Sequence, residues 1–146
     1  ATRAAIAAGI DIMNSRVSTN TGKASKADPL LHAALARAIA EIDEIELRQS
    51  ASFDDLMRNA ERGEAIPMER RALFAYQSAT VVRRTADLVD DIVKLLGGRA
   101  IYMSSPILQP WLDLNAARAH VANDPGTRAA DLLGTMAGEP PAFTYL

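Results

Sequence analysis

The segment LDLNAARAHVANDPG, residues 112–126, carries an acid and an imidazole whose spacing could serve proton chemistry. Asp113 and His120 are seven residues apart with Ala116 and Ala117 between them, so a helix places all four on one face. An imidazole titrates near neutral pH and can move a proton, and two small alanines leave room for a planar molecule. The alternative is that a protonated His120 only balances the negative end of a helix.

Two further patterns bear on binding chemistry. Gly97-Gly98 follows a long helical pattern, and by itself such a pair most often marks the end of a helix. A di-iron site in a helical bundle needs Glu-x-x-His pairs that project inward. Neither His32 nor His120 has a glutamate three residues earlier, so we expect no metal site.

The composition favours one globular domain that spans residues 1–146. With 49% hydrophobic and 23% charged residues, the chain can form a core at this length. Sixteen Lys and Arg against eighteen Asp and Glu give a net charge of -2, and the basic residues are scattered, which argues against a nucleic-acid partner. The lack of cysteine favours a reducing compartment, and the lack of a long apolar run argues against membrane insertion. We therefore expect a cytoplasmic protein.

The apolar spacing predicts an all-α, up-and-down bundle of about five helices. An acid followed by proline is a strong start signal, because the acid can cap the helix and proline needs no hydrogen-bond acceptor in the first turn. This signal occurs at Asp28-Pro29 and at Asp124-Pro125. The expected helices cover residues 2–16, 29–62, 67–96, 106–122 and 125–137.

The third helix has the most regular apolar pattern. Its expected buried stripe alternates steps of four and three: Phe74, Ser78, Val81, Thr85, Leu88, Ile92 and Leu95. Other apolar residues flank this stripe, so we expect the helix to be central in the bundle and to leave apolar surface for self-association. The second helix could break at SASFDD, residues 50–55.

Residues 88–125 resemble the C-terminal helical domain of acyl-CoA dehydrogenase-like flavoproteins, in particular the branch of two-component flavin-dependent monooxygenases. The matching features are Gly97-Gly98, Ser-Ser-Pro at 104–106, Trp111 with Asp113, and Ala-Ala-Arg-Ala-His at 116–120. SRVSTNTGK, residues 15–23, is similar to the loop between the first two helices of that domain. The resemblance implies that this chain, which begins with Ala, is a fragment of a longer subunit with an N-terminal helical domain and a middle β-domain.

The resemblance also implies how this domain meets the flavin. Arg16 and its loop would approach the phosphate region of the flavin. The Gly97-Gly98 turn would let the backbone come close to a flavin bound by a neighbouring subunit. His120 would face the reacting end of the flavin and act as the catalytic residue.

Substrate, cofactor and partners follow from the same resemblance. Trp111 and Asp113 would contact the substrate or support the residues that do. The cofactor would be reduced flavin, either FMN or FAD. The partners would be a small-molecule substrate, a separate flavin reductase and further copies of the subunit, in a tetramer.

The distribution of glutamate separates two activities within this family. The dehydrogenase branch removes a proton next to a thioester with a glutamate that lies near Val121 or on the first helix. This chain has no glutamate before Glu41 and none between Glu69 and Glu139. A histidine suits a hydroxylase, in which reduced flavin activates O₂ and an imidazole exchanges a proton or a hydrogen bond with the reactants.

We therefore expect the C-terminal domain of a flavin-dependent monooxygenase that acts on an aromatic or similar small substrate. As an isolated piece it would be inactive. One alternative is the corresponding domain of an acyl-CoA dehydrogenase. The other is a helical interaction module without catalytic activity.

Overall fold

The computed structural model describes residues 1–15 and 28–142, and within these ranges the chain is helical without any β-strand. The predicted all-α class and the number of helices are confirmed. The five α-helices are α1 (Thr2–Ser15), α2 (Pro29–Glu61), α3 (Met68–Leu96), α4 (Leu108–Ala119) and α5 (Pro125–Met136). Short 3-10 helices follow α3 (Gly97–Ile101) and α4 (Val121–Asn123). None of the described helices combines the length and apolarity needed to cross a bilayer.

Both acid-proline signals start helices as predicted. The Leu30 amide donates to Asp28 Oδ1 over 2.9 Å, and Pro29 is the first residue of α2. At α5, the amides of Gly126 and Thr127 donate to the carboxylate of Asp124. The Thr127 hydroxyl also donates to Asp124, over 2.7 Å, and this bond, followed by the two amide bonds, lowers the pKa of Asp124. These bonds satisfy amides that have no partner within the helix.

The chain divides into two compact units. The first unit comprises Ala1–Asp43 and Arg84–Ala117. Helices approach closely at Gly9 of α1, where an added Cβ would lie 3.1 Å from Ile92 and 3.2 Å from Leu35. The core of this unit is apolar, and its most deeply buried large side chains are Leu31, Val89, Ile92, Leu96 and Ile107.

The second unit comprises Glu44–Arg83 and Arg118–Leu146. Ionic contacts connect its helices at the surface, where Arg70 donates to Asp55 and lies over the ring of Phe74 at 4.7 Å. Its interior contains an acid, Asp131 of α5, whose residue exposure is only 4%. The exposed pair of Arg70 and Asp55 stabilises the unit only weakly. The buried carboxylate of Asp131 needs a compensating partner.

The predicted stripe of α3 is buried at its centre, half-buried at Phe74 and Val81, and exposed at two positions. Thr85, Leu88 and Ile92 are buried, whereas Ser78 and Leu95 are exposed. An α-helix has 3.6 residues per turn, so a strict heptad pattern drifts by about 20° per heptad around the helix. The second helix, expected over residues 29–62, is continuous from Pro29 to Glu61 and does not break at residues 50–55.

Glu41 joins α2 to α3 within the first unit. It accepts hydrogen bonds from Arg37 of its own helix over 2.8 Å and from Arg84 of α3 over 3.1 Å. The bond from Arg37 lowers the pKa of the Glu41 carboxyl, the bond from Arg84 adds to this effect, and partial burial opposes it. The ionised carboxylate is therefore favoured in the folded protein.

We predict that the bonds from Arg37 and Arg84 to Glu41 make the free energy of unfolding depend on pH in the acid range. Since the folded pKa of Glu41 is lowered, its contribution is complete above the unfolded value of about 4.3 and is lost as the pH falls through the folded value. Replacement by Glu41→Gln should lower the urea midpoint at neutral pH, and its difference from the wild type should shrink in acid. Glu44→Gln, an exposed change on the same helix, is the control. Equal pH profiles for the wild type and Glu41→Gln would contradict the prediction.

Candidate functional site

The turn after α3 presents bare backbone. Gly97 has a φ of +71°, a left-handed conformation that favours glycine and ends the helix. Gly98 is exposed, and an added Cβ there would meet no atom of the described chain within 4 Å. Packing within the described chain therefore does not require glycine at position 98. The open backbone at this turn can be approached closely by another molecule.

Trp111 and Asp113 lie near the start of α4 in different environments. Trp111 is half-buried, and its indole Nε1 donates to Asp90 Oδ1 of α3 over 2.5 Å. Asp113 is exposed and accepts from Gln109 Nε2 of the same helix over 2.7 Å. Trp111 thus connects two helices, whereas Asp113 is bonded only to its own helix among the contacts described. Asp90 was not predicted as a site residue, and the signal that the sequence offered was an acid beside the apolar Val89.

His120 lies just beyond α4, which ends at Ala119. The expected helix over 106–122 is therefore wrong at both ends, since α4 begins at Leu108. His120 has an extended backbone, with φ -76° and ψ 132°, and its Nδ1 accepts from the Ala122 amide over 3.2 Å. A side chain that caps the next turn competes with continuation of the helix, and this accounts for the early end.

The capping bond restricts the chemistry of His120. A neutral imidazole whose Nδ1 accepts a hydrogen bond carries its proton on Nε2, and we assign this tautomer from the bond to Ala122. The residue is exposed, so Nε2–H can donate to an oxygen atom of a bound molecule. Accepting a proton at Nε2 would require the ring to give up the capping bond. The arrangement therefore suits a hydrogen-bond donor better than a base.

The predicted site residues are divided between the two units. Gly97, Gly98, Trp111 and Asp113 belong to the first unit and His120 to the second, while Arg16 lies outside the described residues. The first unit has a cleft of about 400 Å³ lined by Leu30, Ala33, Ala34, Arg37, Asp91, Lys94 and Leu95. The second has one of about 640 Å³ lined by residues 67–69, Thr135 and residues 138–141. No predicted site residue lines either cleft.

The possible metal ligands are dispersed. Across residues 1–15 and 28–142, no group of three or more His, Asp or Glu side chains could hold a metal ion. A structural zinc site is usually built from four ligands, and a catalytic one from three.

The five-helix fold, with a glycine turn between α3 and α4, is the architecture of one class of helical domain. A family model described as "Acyl-CoA dehydrogenase, C-terminal domain" matches residues 1–125. The chain belongs to this family, which confirms the resemblance found in the sequence.

Three curated relatives are monooxygenases or hydroxylases by name. The oxygenase subunit HsaA of a flavin-dependent monooxygenase from Mycobacterium tuberculosis (strain ATCC 25618 / H37Rv) is 30% identical over 97% of this chain and 36% of its own length. HsaA from Rhodococcus jostii (strain RHA1) is 29% identical over 78% of this chain and 30% of its own. A pigment production hydroxylase from Rhodococcus erythropolis is 27% identical over 73% of this chain and 27% of its own.

Solved structures of such enzymes contain the same fold. The crystal structure of the HsaA monooxygenase from M. tuberculosis matches 99% of this chain and 36% of its own, with a TM-score of 0.83 and 26% identity. The structure of 3-HSA hydroxylase from Rhodococcus sp. RHA1 matches 99% of this chain and 37% of its own, with a TM-score of 0.85 and 25% identity. This chain thus spans about a third of the length of the relatives it matches.

Proposed function

We propose that residues 1–146 form the C-terminal helical domain of a flavin-dependent monooxygenase subunit, which uses reduced flavin and O₂ to hydroxylate an aromatic or similar small substrate. The observation that carries this proposal is the likeness to flavin-dependent monooxygenase oxygenase subunits over 97% of this chain. The chain covers only 36% of such a relative, so the isolated domain would lack most of the catalytic subunit. We expect it to be inactive alone.

The acyl-CoA dehydrogenase alternative has weaker support. The matching family model carries the dehydrogenase name, but the three relatives described above are hydroxylases or monooxygenases by name. Dehydrogenation next to a thioester needs a base, and this chain has no glutamate between Glu69 and Glu139. His120 Nδ1 accepts from the Ala122 amide, so the imidazole is suited to donate a hydrogen bond from Nε2. These features favour hydroxylation.

The proposed flavin contacts fit the residues present. Gly98 has open space on its Cβ side, so its backbone could approach a flavin held by a neighbouring subunit, and Arg16 would approach the phosphate region. When bound, reduced flavin, as FMN or FAD, would supply the electrons that activate O₂. His120 Nε2–H would donate a hydrogen bond to a reacting oxygen atom, and adjoining protein would keep water away.

Assembly would complete the site. Three consecutive apolar residues after the glycine turn are largely exposed, namely Ile101 at 53%, Tyr102 at 62% and Met103 at 92%. Contiguous apolar exposure of this kind commonly marks an interaction surface. We infer a homotetramer in which such surfaces are covered, with a separate flavin reductase that delivers reduced flavin. We place the complete subunit in the cytoplasm, in keeping with a chain that contains no cysteine.

The decisive experiment uses the complete subunit that contains this chain. We predict that, with reduced flavin and ¹⁸O₂, it will convert at least one member of a panel of phenols into a product that carries one ¹⁸O atom. Product mass and O₂ consumption measure the reaction. A dehydrogenase would instead reduce its own oxidised flavin when mixed anaerobically with acyl-CoA thioesters. An interaction module would do neither, so both of these results would overturn the proposal.

A further inference from the structure

A side-chain hydrogen bond joins α3 to α4 at the base of their connection, residues 97–107. Trp111 Nε1 donates to Asp90 Oδ1 over 2.5 Å, and 21 residues of sequence separate the two partners. Asp90 lies two turns before the end of α3, and Trp111 lies in the first turns of α4. Both side chains are half-buried, so water competes less for this bond than for one at the surface.

Buried side chains and local turns also hold the connection in place. Ala100 and Ile107 are buried, with 1% and 0% exposure, and anchor it to the core. Its own amide bonds are local turns, such as Ser105 N to Tyr102 O over 2.8 Å. The apolar residues at its tip are exposed. The bond between Trp111 and Asp90 therefore joins the two helices on either side of the glycine turn.

We propose that Trp111 and Asp90 are a positioning pair, which fixes the start of α4 against α3 and thereby holds the Gly97-Gly98 turn in its flavin-binding conformation. This inference rests on the proposed function for the flavin contact. It assigns Trp111 a role that acts through the turn, which is the supporting one of the two roles that the resemblance implied. The bond has a charged acceptor, which makes it stronger than a bond between neutral groups.

The conformational part can be measured by hydrogen exchange in the complete subunit. Trp111→Phe keeps an aromatic ring but removes the donor, so amides of residues 97–107 should exchange about ten- to a hundredfold faster, as expected for the loss of a bond to a charged group. Asp90→Asn keeps an acceptor oxygen, so its amides at residues 97–107 should keep most of the wild-type protection against exchange. Asp90→Leu has no acceptor and should lose protection as Trp111→Phe does. Unchanged exchange in Trp111→Phe would overturn the proposal.

The functional part is read from the dissociation constant of reduced flavin, measured anaerobically on the same variants. Trp111→Phe and Asp90→Leu should each weaken binding at least about tenfold, and the double variant should be no worse than Asp90→Leu, because both changes remove the same bond between Trp111 and Asp90. Ile42→Val is the control, since it trims a buried side chain of α2 and should lower stability without affecting flavin binding.

The results separate this inference from the proposed function. If the wild type binds reduced flavin and Trp111→Phe binds it equally well, the positioning role is wrong and the proposed function stands. A loss of affinity in Ile42→Val as large as in Trp111→Phe would also overturn the positioning role, because general destabilisation would account for both. If the wild type binds no flavin, the proposed function fails and the flavin-positioning role fails with it. This holds even if Trp111→Phe exchanges its amides at residues 97–107 faster than the wild type.

Discussion

His120→Ala in the complete subunit should lower the rate of hydroxylation by about 10²–10⁴-fold, the range typical of a lost acid–base or hydrogen-bonding group. The physical reason is that the exposed Nε2–H would no longer donate to a reacting oxygen atom. Flavin binding should change little, because the proposed flavin contacts are made by other residues. Reducing equivalents would still reach O₂, so release of hydrogen peroxide per product should rise.

A second substitution separates chemistry from capping. His120 Nδ1 accepts from the Ala122 amide, so alanine removes a cap as well as an imidazole. Asparagine is a good N-cap residue and should keep this bond, yet it has no imidazole. His120→Asn should therefore retain the thermal stability of the wild type and still lose hydroxylation. His32→Ala, at an exposed position on α2, should cost little activity and is the matched histidine control.

Two results would contradict a catalytic role. Hydroxylation that survives in His120→Asn but not in His120→Ala would show that only the cap matters. Activity that falls in step with the melting temperature across the variants would show that the residue acts through stability alone. In either case His120 would have a structural role at the end of α4 and no catalytic one.

Local chemistry made much of the fold predictable. The starts of α2 and α5 were predicted because Asp28 and Asp124 are each followed by proline, and both carboxylates cap amides in the structure. The end of α3 was predicted because Gly97 can adopt a positive φ. Each of these signals depends on residues within one helical turn of the boundary, so a single sequence contains all the information required.

The candidate site was less predictable, because its geometry depends on contacts that are not periodic. α4 ends where it does because His120 caps the following turn, a conformation that competes with continuation of the helix. The bond from Trp111 to Asp90 joins residues far apart in sequence, and no spacing rule relates them. Resemblance supplied the residue types of the site, whereas their hydrogen-bond partners became visible only in the folded chain.

Asp131 shows the same limit in the second unit. From its sequence context it is one acid among small and apolar residues of α5, yet its side chain is only 2% exposed. Its Oδ1 accepts from the Ala142 amide over 2.9 Å, and its Oδ2 lies 3.6 Å from Arg128 Nη1. The carboxylate thus holds the segment that follows α5 and compensates a guanidinium whose side chain is 15% exposed.

Asp131→Ala should lower the free energy of unfolding by about 3–5 kcal/mol, which is the range expected when one partner of a buried charge pair is removed. The variant would leave the charge of Arg128 without its carboxylate and the Ala142 amide without its acceptor. Urea unfolding followed by circular dichroism measures the loss. Asp131→Asn should lose less, since an amide oxygen can still accept from Ala142.

Asp54→Ala, an exposed change on α2, should stay within about 0.5 kcal/mol of the wild type. A loss in Asp131→Ala no larger than in Asp54→Ala would mean that water replaces the carboxylate without penalty, and that the contact with Ala142 does not stabilise the fold.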